Sequence, residues 1–554
     1  MSIRSLVAAL TLGALASCGG ELAAEPAEAD ASTTRDMLVI GTQSDIGVLN
    51  PVVQETAADD YVLQALSVRM TGLEFDCSLK KSPAYAKSWE WNDEGTVLKV
   101  ELRDDLTWED GTKVTAADVA FTYELVSDPV VASARLAFIE RMNPDARPRV
   151  IDDTHIEWHF TNAYDRDTQM SHTSLPLVPK HVFADADRAS LRGHERSNRP
   201  LSYGPWRLET WEPNQRLVLE PNEHFTGPEY MKPRLSRIVY RVIPEYSTRL
   251  IELETGGIDH MQSILVQDAD RLREEHPEIN LVRRGWRAMD YVAWNLKDPL
   301  FEDKAVRTAL AMATDVDGMI GKLLTGKDGE KFARRATSTI TPALCGVHND
   351  DIAPIAHNAD QAKQMLASAG WRDTNGDGVL DKDGKKFEFT LSTNTGNKRR
   401  ADSAVLLQDQ LKKVGVVVNI EKTESNAFFE NLRKRDYQAA LAGWVAGLFV
   451  DPTDIWHCED DEHKYEFNFT SYCNPKVDEL IEKGLNTPVP KDSAPLWQEV
   501  QQLVHDDQPY LFLWWMDEIV GISDRFENTK IDILSPLNDL HQWEVPEDKV
   551  KYRK

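Results

Sequence analysis

The chain has 554 residues, 28% of them charged and 41% hydrophobic, with a formal charge of −28 at pH 7. That length exceeds what one hydrophobic core supports, so at least two lobes are expected. The negative charge excludes nucleic acid as a partner and excludes electrostatic binding to an anionic membrane.

At the N-terminus, Arg4 precedes an apolar stretch from Leu6 to Leu15, which closes on Ala16-Ser17-Cys18. This is the layout of a secretory leader, with an apolar run too short to span a bilayer. A cysteine at the cleavage point resembles the bacterial lipobox. It implies that 1–18 is a lipoprotein signal peptide and that lipid on Cys18 holds the mature chain at a membrane. The composition of 19–35 is that of a flexible linker. A plain leader cut near Ala14 to Ala16 would leave Cys18 without a role. Four cysteines then remain, an even number in an oxidising compartment. Cys458 and Cys473 enclose a short polar segment and are the preferred disulfide. Cys77 with Cys345 follows by elimination. None of the four forms a CxxC, which disfavours a metal site.

Farther along, Leu98, Val100 and Leu102 alternate with the period of a half-buried strand, as do Phe387, Phe389 and Leu391. Thr115 with Asp118 three later reads as a capping box ahead of Val119, Tyr123 and Val126. Asn358 opens a helix that Gly370 stops, and Asn474-Pro475 supplies a cap and first turn. From about Lys304 to Trp444 helix and strand alternate, the mark of an α/β lobe.

The string Asp105-Leu106-Thr107-Trp108-Glu109-Asp110-Gly111-Thr112-Lys113-Val114-Thr115 continues through Phe121-Thr122. Tyr203-Gly204-Pro205-Trp206, Val306-Arg307-Thr308-Ala309-Leu310, Gly443-Trp444, Asp451-Pro452 and Tyr472-Cys473-Asn474-Pro475 follow it in order. Together they resemble family 5 of the extracytoplasmic solute-binding proteins, the peptide, oligopeptide and nickel receptors of bacterial ABC transporters. Within them Trp108 and Phe121 read as core, and Arg307 as half of an ion pair. The resemblance implies a bilobed α/β fold of the periplasmic-binding-protein type. Residues 36–60, 190–283 and 522–554 would form lobe I, 61–189 a subdomain inserted in it, and 284–521 lobe II. It also implies a monomeric receptor in the periplasm or at the cell surface, passing its solute to a permease.

In such a fold the ligand sits between lobes, where strand-end loops and helix N-termini expose backbone N–H groups. Asn394 and Asn397 lie in a polar strand-to-helix loop. Trp444 leaves a strand and is large enough to floor a pocket, and Tyr291 and Asn295 flank a third strand. The peptide-binding members place a carboxylate after the Gly-Trp pair to take an α-ammonium. Here that position is Gly447, or Leu448, and neither carries charge. An oligosaccharide is therefore the alternative solute.

Asp373, Asn375, Asp377, Val379 and Asp381 have the spacing of a structural calcium loop. Position 12 is Gly384 rather than Glu, so a polar hairpin turn is the competing reading, and no cofactor is required. A secreted hydrolase is the competing class, but the chain has neither G-x-S-x-G nor HExxH. His155 and His159 fall in a strand pattern.

Overall fold

A computed structural model describes residues 36–552 apart from 55, 77, 134, 137–147, 164–165, 286, 461–464 and 466. Cys18, the leader, the linker and Cys77 therefore lie outside the described residues.

Two large sheets organise the chain. The first has seven strands, in the spatial order Ile279–Arg284, Glu518–Ser523, His260–Met261, Met37–Thr42, Arg237–Val242, Arg216–Pro221 and Trp206–Glu212. Met37–Thr42 runs parallel to both of its neighbours. Because successive side chains of a strand point to opposite faces, Leu38 and Ile40 enter one core and Val39 the other. The second sheet has six strands, in the order Ala333–Arg335, Tyr510–Met516, Ala288–Trp294, Ala439–Val445, Glu388–Asn394 and Val417–Thr423. Val292 and Trp294 face one of its cores, and Met289, Tyr291 and Ala293 the other. Every residue of Ala288–Trp294 is buried, as befits a strand covered on both faces.

A four-stranded sheet, Ala86–Trp91, Val97–Leu102, His155–His159 and Arg149–Val150, packs with the helix Ala116–Ser127 around a fifth core. Here Thr115 and Asp118 form the capping box, the Thr115 amide donating to the Asp118 carboxylate at 2.9 Å. Trp108 is fully buried against Tyr203, ring centroids 4.8 Å apart. The first long string is therefore scaffold. Asn358 and Asn474 cap their helices, and Gly370 adopts a φ of +94° where the first of them stops.

The chain crosses between the two large sheets at two places, between the strands that end at Arg284 and begin at Ala288, and at Asp517. These crossings lie side by side, because Arg284 and Glu518 are register partners in the first sheet. The second crossing precedes the expected boundary at 521/522 and is marked in the sequence by Asp517-Glu518 between two apolar runs. The helix Ala57–Leu66 packs its Val62, Leu63 and Leu66 into a core of the first sheet. It straddles the expected boundary at 60/61. Arg307 forms no ion pair among the described residues. Its guanidinium donates instead to the carbonyls of Phe301, Glu302, Asp507 and Gln508.

Candidate functional site

A cavity of about 430 Å³ opens between the lobes. One wall is the helix Ala57–Leu66, which presents Asp60, Tyr61 and Gln64, continued by the segment from Ser67 to Leu73 with Arg69. Arg135, Ser171 and His172 come from the inserted sheet's side, Leu534 to His541 from the C-terminal segment, Arg287 from the first crossing, and Leu448 and Phe449 from beyond it.

Local sequence fixes that helix at both ends. Thr56 and Asp59 form a capping box at its start. At its end the Ser202 hydroxyl and the Tyr203 and Gly204 amides converge on the Leu66 carbonyl at 2.8, 3.1 and 3.0 Å. A Cβ on Gly204 would stand 2.5 Å from the Ser67 nitrogen, so only glycine allows this approach. The Tyr203-Gly204-Pro205-Trp206 string is thus the buttress of a cavity wall.

Charge is concentrated here. Arg284 and Glu518 form an ion pair at 2.8 Å with side chains 3% and 2% exposed. Burial pushes the Glu518 pKa up, and Arg284 offsets part of that rise. Burial, then the Glu518 charge, raises the Tyr61 phenol. Burial lowers Arg135, whose Nε is fixed on the Pro51 carbonyl at 2.9 Å. Burial and the neighbouring Arg284 guanidinium push Arg287 down to about 10, so it stays charged at neutral pH.

None of the six residues singled out from the sequence lines this cavity. Tyr291 is fully buried and stacks on Tyr510 at 4.0 Å, because the alternation of its strand turns it into a core. Asn295 donates to the Arg435 and Tyr437 carbonyls at 3.1 and 2.8 Å and accepts from the Lys297 amide at 3.1 Å, tying two strand ends together. Trp444 lies between Tyr291 and Phe469, stacked at 6.0 and 5.3 Å, and its indole N–H donates to Tyr510. Asn397 caps the helix Lys398–Lys412, and Asn394 accepts from Arg400 at 3.0 Å. Gly447 is exposed, while its neighbours Leu448 and Phe449 reach the cavity. Gly443 has a packing role: a Cβ there would run into the Arg400 guanidinium and stand 2.6 Å from the Met289 carbonyl. Arg399 and Arg400 close over this strand on Asp290 at 2.7 and 3.0 Å. Burial alone would raise the Asp290 pKa, but the two arginines outweigh it and hold the carboxyl below its usual value.

The loop with calcium spacing is a turn ahead of the hairpin Asp381–Lys382 and Lys385–Lys386. Asp373 accepts from the Gly376 and Gly378 amides, Asn375 from the Asp377 amide and Asp377 from the Val379 amide, while Asp381 accepts from Thr374. Lys386 pairs with Asp377 at 2.6 Å. Among the described residues no group of three or more His, Cys, Asp or Glu is placed to hold a metal ion. The disulfide Cys458–Cys473 is present, and Cys345 is also disulfide-bonded.

Residues 80–466 match the family described as bacterial extracellular solute-binding proteins, family 5, middle. The chain belongs to this family. It is 30% identical over 513 residues to the oligopeptide-binding protein AppA of Bacillus subtilis strain 168, covering 91% of each chain. It is 26% identical over 496 residues to the probable D,D-dipeptide-binding periplasmic protein DdpA of Escherichia coli K12, covering 88% of this chain and 90% of that one. The structure of Bacillus subtilis AppA in complex with a nonapeptide matches with a TM-score of 0.81 at 28% identity, over 92% of this chain and 99% of that one. NikZ from Campylobacter jejuni in complex with Ni(L-His) also matches at 0.81, over 92% of this chain and 99% of that one; at 22% identity it shares the fold. Family 5 members are extracytoplasmic solute-binding proteins, so this chain is a binding protein and not an enzyme, and the hydrolase alternative falls. Among the described residues no helix is long and apolar enough to cross a membrane.

The cavity residues that sequence reasoning missed are Asp60, Arg69, Arg135 and Arg287. A signal for the last was present: Arg283, Arg284 and Arg287 cluster at the expected lobe boundary of a strongly acidic chain.

Proposed function

We propose that this family 5 protein captures a peptide or peptide-like solute in the interlobe cavity and delivers it to an ABC permease. Lipid on Cys18 would hold it at a bacterial membrane. The observation that carries this reading is the cavity itself, enclosed between lobes in a chain 30% identical to an oligopeptide-binding protein. Gly447 and Leu448 leave no carboxylate where peptide-binding members hold an ammonium, so free and N-acetylated peptides are expected to bind alike.

Native mass spectrometry of protein purified from its own host, followed by calorimetry with what co-purifies, tests the reading. A bound oligosaccharide would overturn it. Solution scattering should show compaction when ligand binds, as closure of two lobes requires. Cys18→Ala should release the protein in soluble form or leave its leader uncleaved; a cleaved variant with unchanged membrane association would refute the anchor.

A further inference from the structure

The cavity carries four side-chain cations, Arg69, Lys81, Arg135 and Arg287, against two carboxylates, Asp60 and Asp539. Asp539 is neutralised by an ion pair, whereas Asp60 bonds to neutral amides and its charge offsets part of that of Arg135 and Arg287. Asp539 pairs with Lys530 at 2.9 Å, and Asp60 accepts from the side-chain amides of Gln54 and Gln64 at 3.4 and 2.5 Å. This excess of positive charge stands in a chain of formal charge −28. Mobile ions screen the distant negative surface over roughly 8 Å at physiological ionic strength, so a solute inside the cavity responds mainly to the arginines around it.

Arg284 and Arg287 are three residues apart and differ in one respect. The Nε of each is buried without a hydrogen-bond partner, but Arg284 closes through Nη1 on the buried Glu518 carboxylate, whereas Arg287 forms no ion pair among the described residues. A buried guanidinium with an unmet donor is costly, and the cost disappears when an anion supplies the missing acceptors. The planar fork of arginine matches a carboxylate with two parallel hydrogen bonds. Arg135 is already held by its bond to Pro51, so little side-chain freedom remains to be lost there when an anion arrives.

We infer that the solute is recognised by a carboxylate seated between Arg287, Arg69 and Arg135, which makes this receptor selective for acidic peptide-like solutes. The inference rests on the interlobe cavity being the solute site. It runs parallel to the uncharged Gly447 and Leu448: the solute is held by its acid rather than by its amine. Because Arg287 stands on the first crossing between sheets, the anion would join that crossing to residues of the opposite wall.

Calorimetry of the purified chain with Ala-Glu-Ala-Glu and Ala-Gln-Ala-Gln, each as free acid and as C-terminal amide, tests this. The Glu peptide, or the free-acid forms, should bind at least about tenfold tighter than the neutral counterparts, as one charge-assisted pair gives. The amide forms tell a side-chain carboxylate from a terminal one. Arg287→Gln should erase the preference and Arg287→Lys keep part of it. Arg69→Gln serves as the second variant should Arg287→Gln fail to fold. Equal affinity for acidic and neutral peptides overturns the inference and leaves the receptor standing, as does a preference that survives both Gln substitutions. Binding of tricarballylate, a tricarboxylate that is not a peptide, with no peptide bound, upholds the anion site and removes the peptide reading. Binding of neither overturns the inference.

Discussion

On the second-lobe side of the cleft Trp444 stacks between Tyr291 and Phe469 with its indole N–H on Tyr510, while on the first-lobe side Arg69, Arg135 and Tyr61 face an open cavity. The first arrangement fills its own space with neutral rings and carries no charge. The second concentrates charge around a void and, among the described residues, leaves the Arg287 guanidinium without an ion pair. Large aromatic residues at strand exits thus need not mark a ligand site, because two-fold alternation can turn them into a core. Unspent charge beside an empty volume is the better indicator.

The contrast can be broken most severely at the crossing that supports the charged side. Removing one partner of a buried ion pair costs about 3 to 5 kcal/mol, so Glu518→Ala should lower unfolding free energy in urea by that much. A loss under 1 kcal/mol would mean that water reaches Arg284. Next, Trp444→Ala should cost about 3 kcal/mol of stability, as large-to-small changes in packed aromatic clusters do, and should shift ligand affinity by less than about threefold. An affinity loss with unchanged melting would return Trp444 to the site.

A smaller effect is set by pH. Burial, and then the charge of Arg284, lowers the pKa of His260 to about 4. The unfolded value is about 6.5, so the contribution is fully present above that pH and is lost as pH falls toward 4; at pH 5 about 2 kcal/mol should be gone. The difference between wild type and His260→Leu across pH 7 to 5 measures it, and parallel curves would contradict it. The smallest effect belongs to the loop of Asp373 to Asp381. Lys386 occupies an oxygen of Asp377, and a site with Kd of about 1 mM gains only ~0.4 kcal/mol in about 1 mM calcium. A melting shift of several degrees on adding calcium would show a strong site.

Much of the scaffold was legible because its signals are local. A cap such as Thr115 with Asp118, or Asn474 before Pro475, is written within a few residues, and its bonds form regardless of what packs above it. The disulfide Cys458–Cys473 was legible for the same reason. Tyr291 and Trp444 misled because a strand's period states that faces alternate but not which face is covered, and both faces of this sheet are. The cavity was not legible. Arg69, Arg135 and Arg287 belong to three segments far apart in the chain, and no spacing announces that they meet. Only the basic cluster from Arg283 to Arg287 at the lobe boundary hinted at it.

The adjacency of Arg284 and Glu518 has a consequence for modularity. Directly opposed residues of an antiparallel pair have Cα atoms about 5 Å apart, so everything from residue 285 to 517 is one excursion that leaves and re-enters the first sheet at a single point. A two-residue turn joining Arg284 to Glu518 would turn that pair of strands into an ordinary hairpin without breaking a ladder bond. The second lobe is therefore inserted at a single point, although its Phe332 is buried in a core of the first sheet. Exchanging it between relatives with this topology would mean splicing at one position, with the Phe332 contact to the first sheet matched, and it would swap one wall of the interlobe cavity.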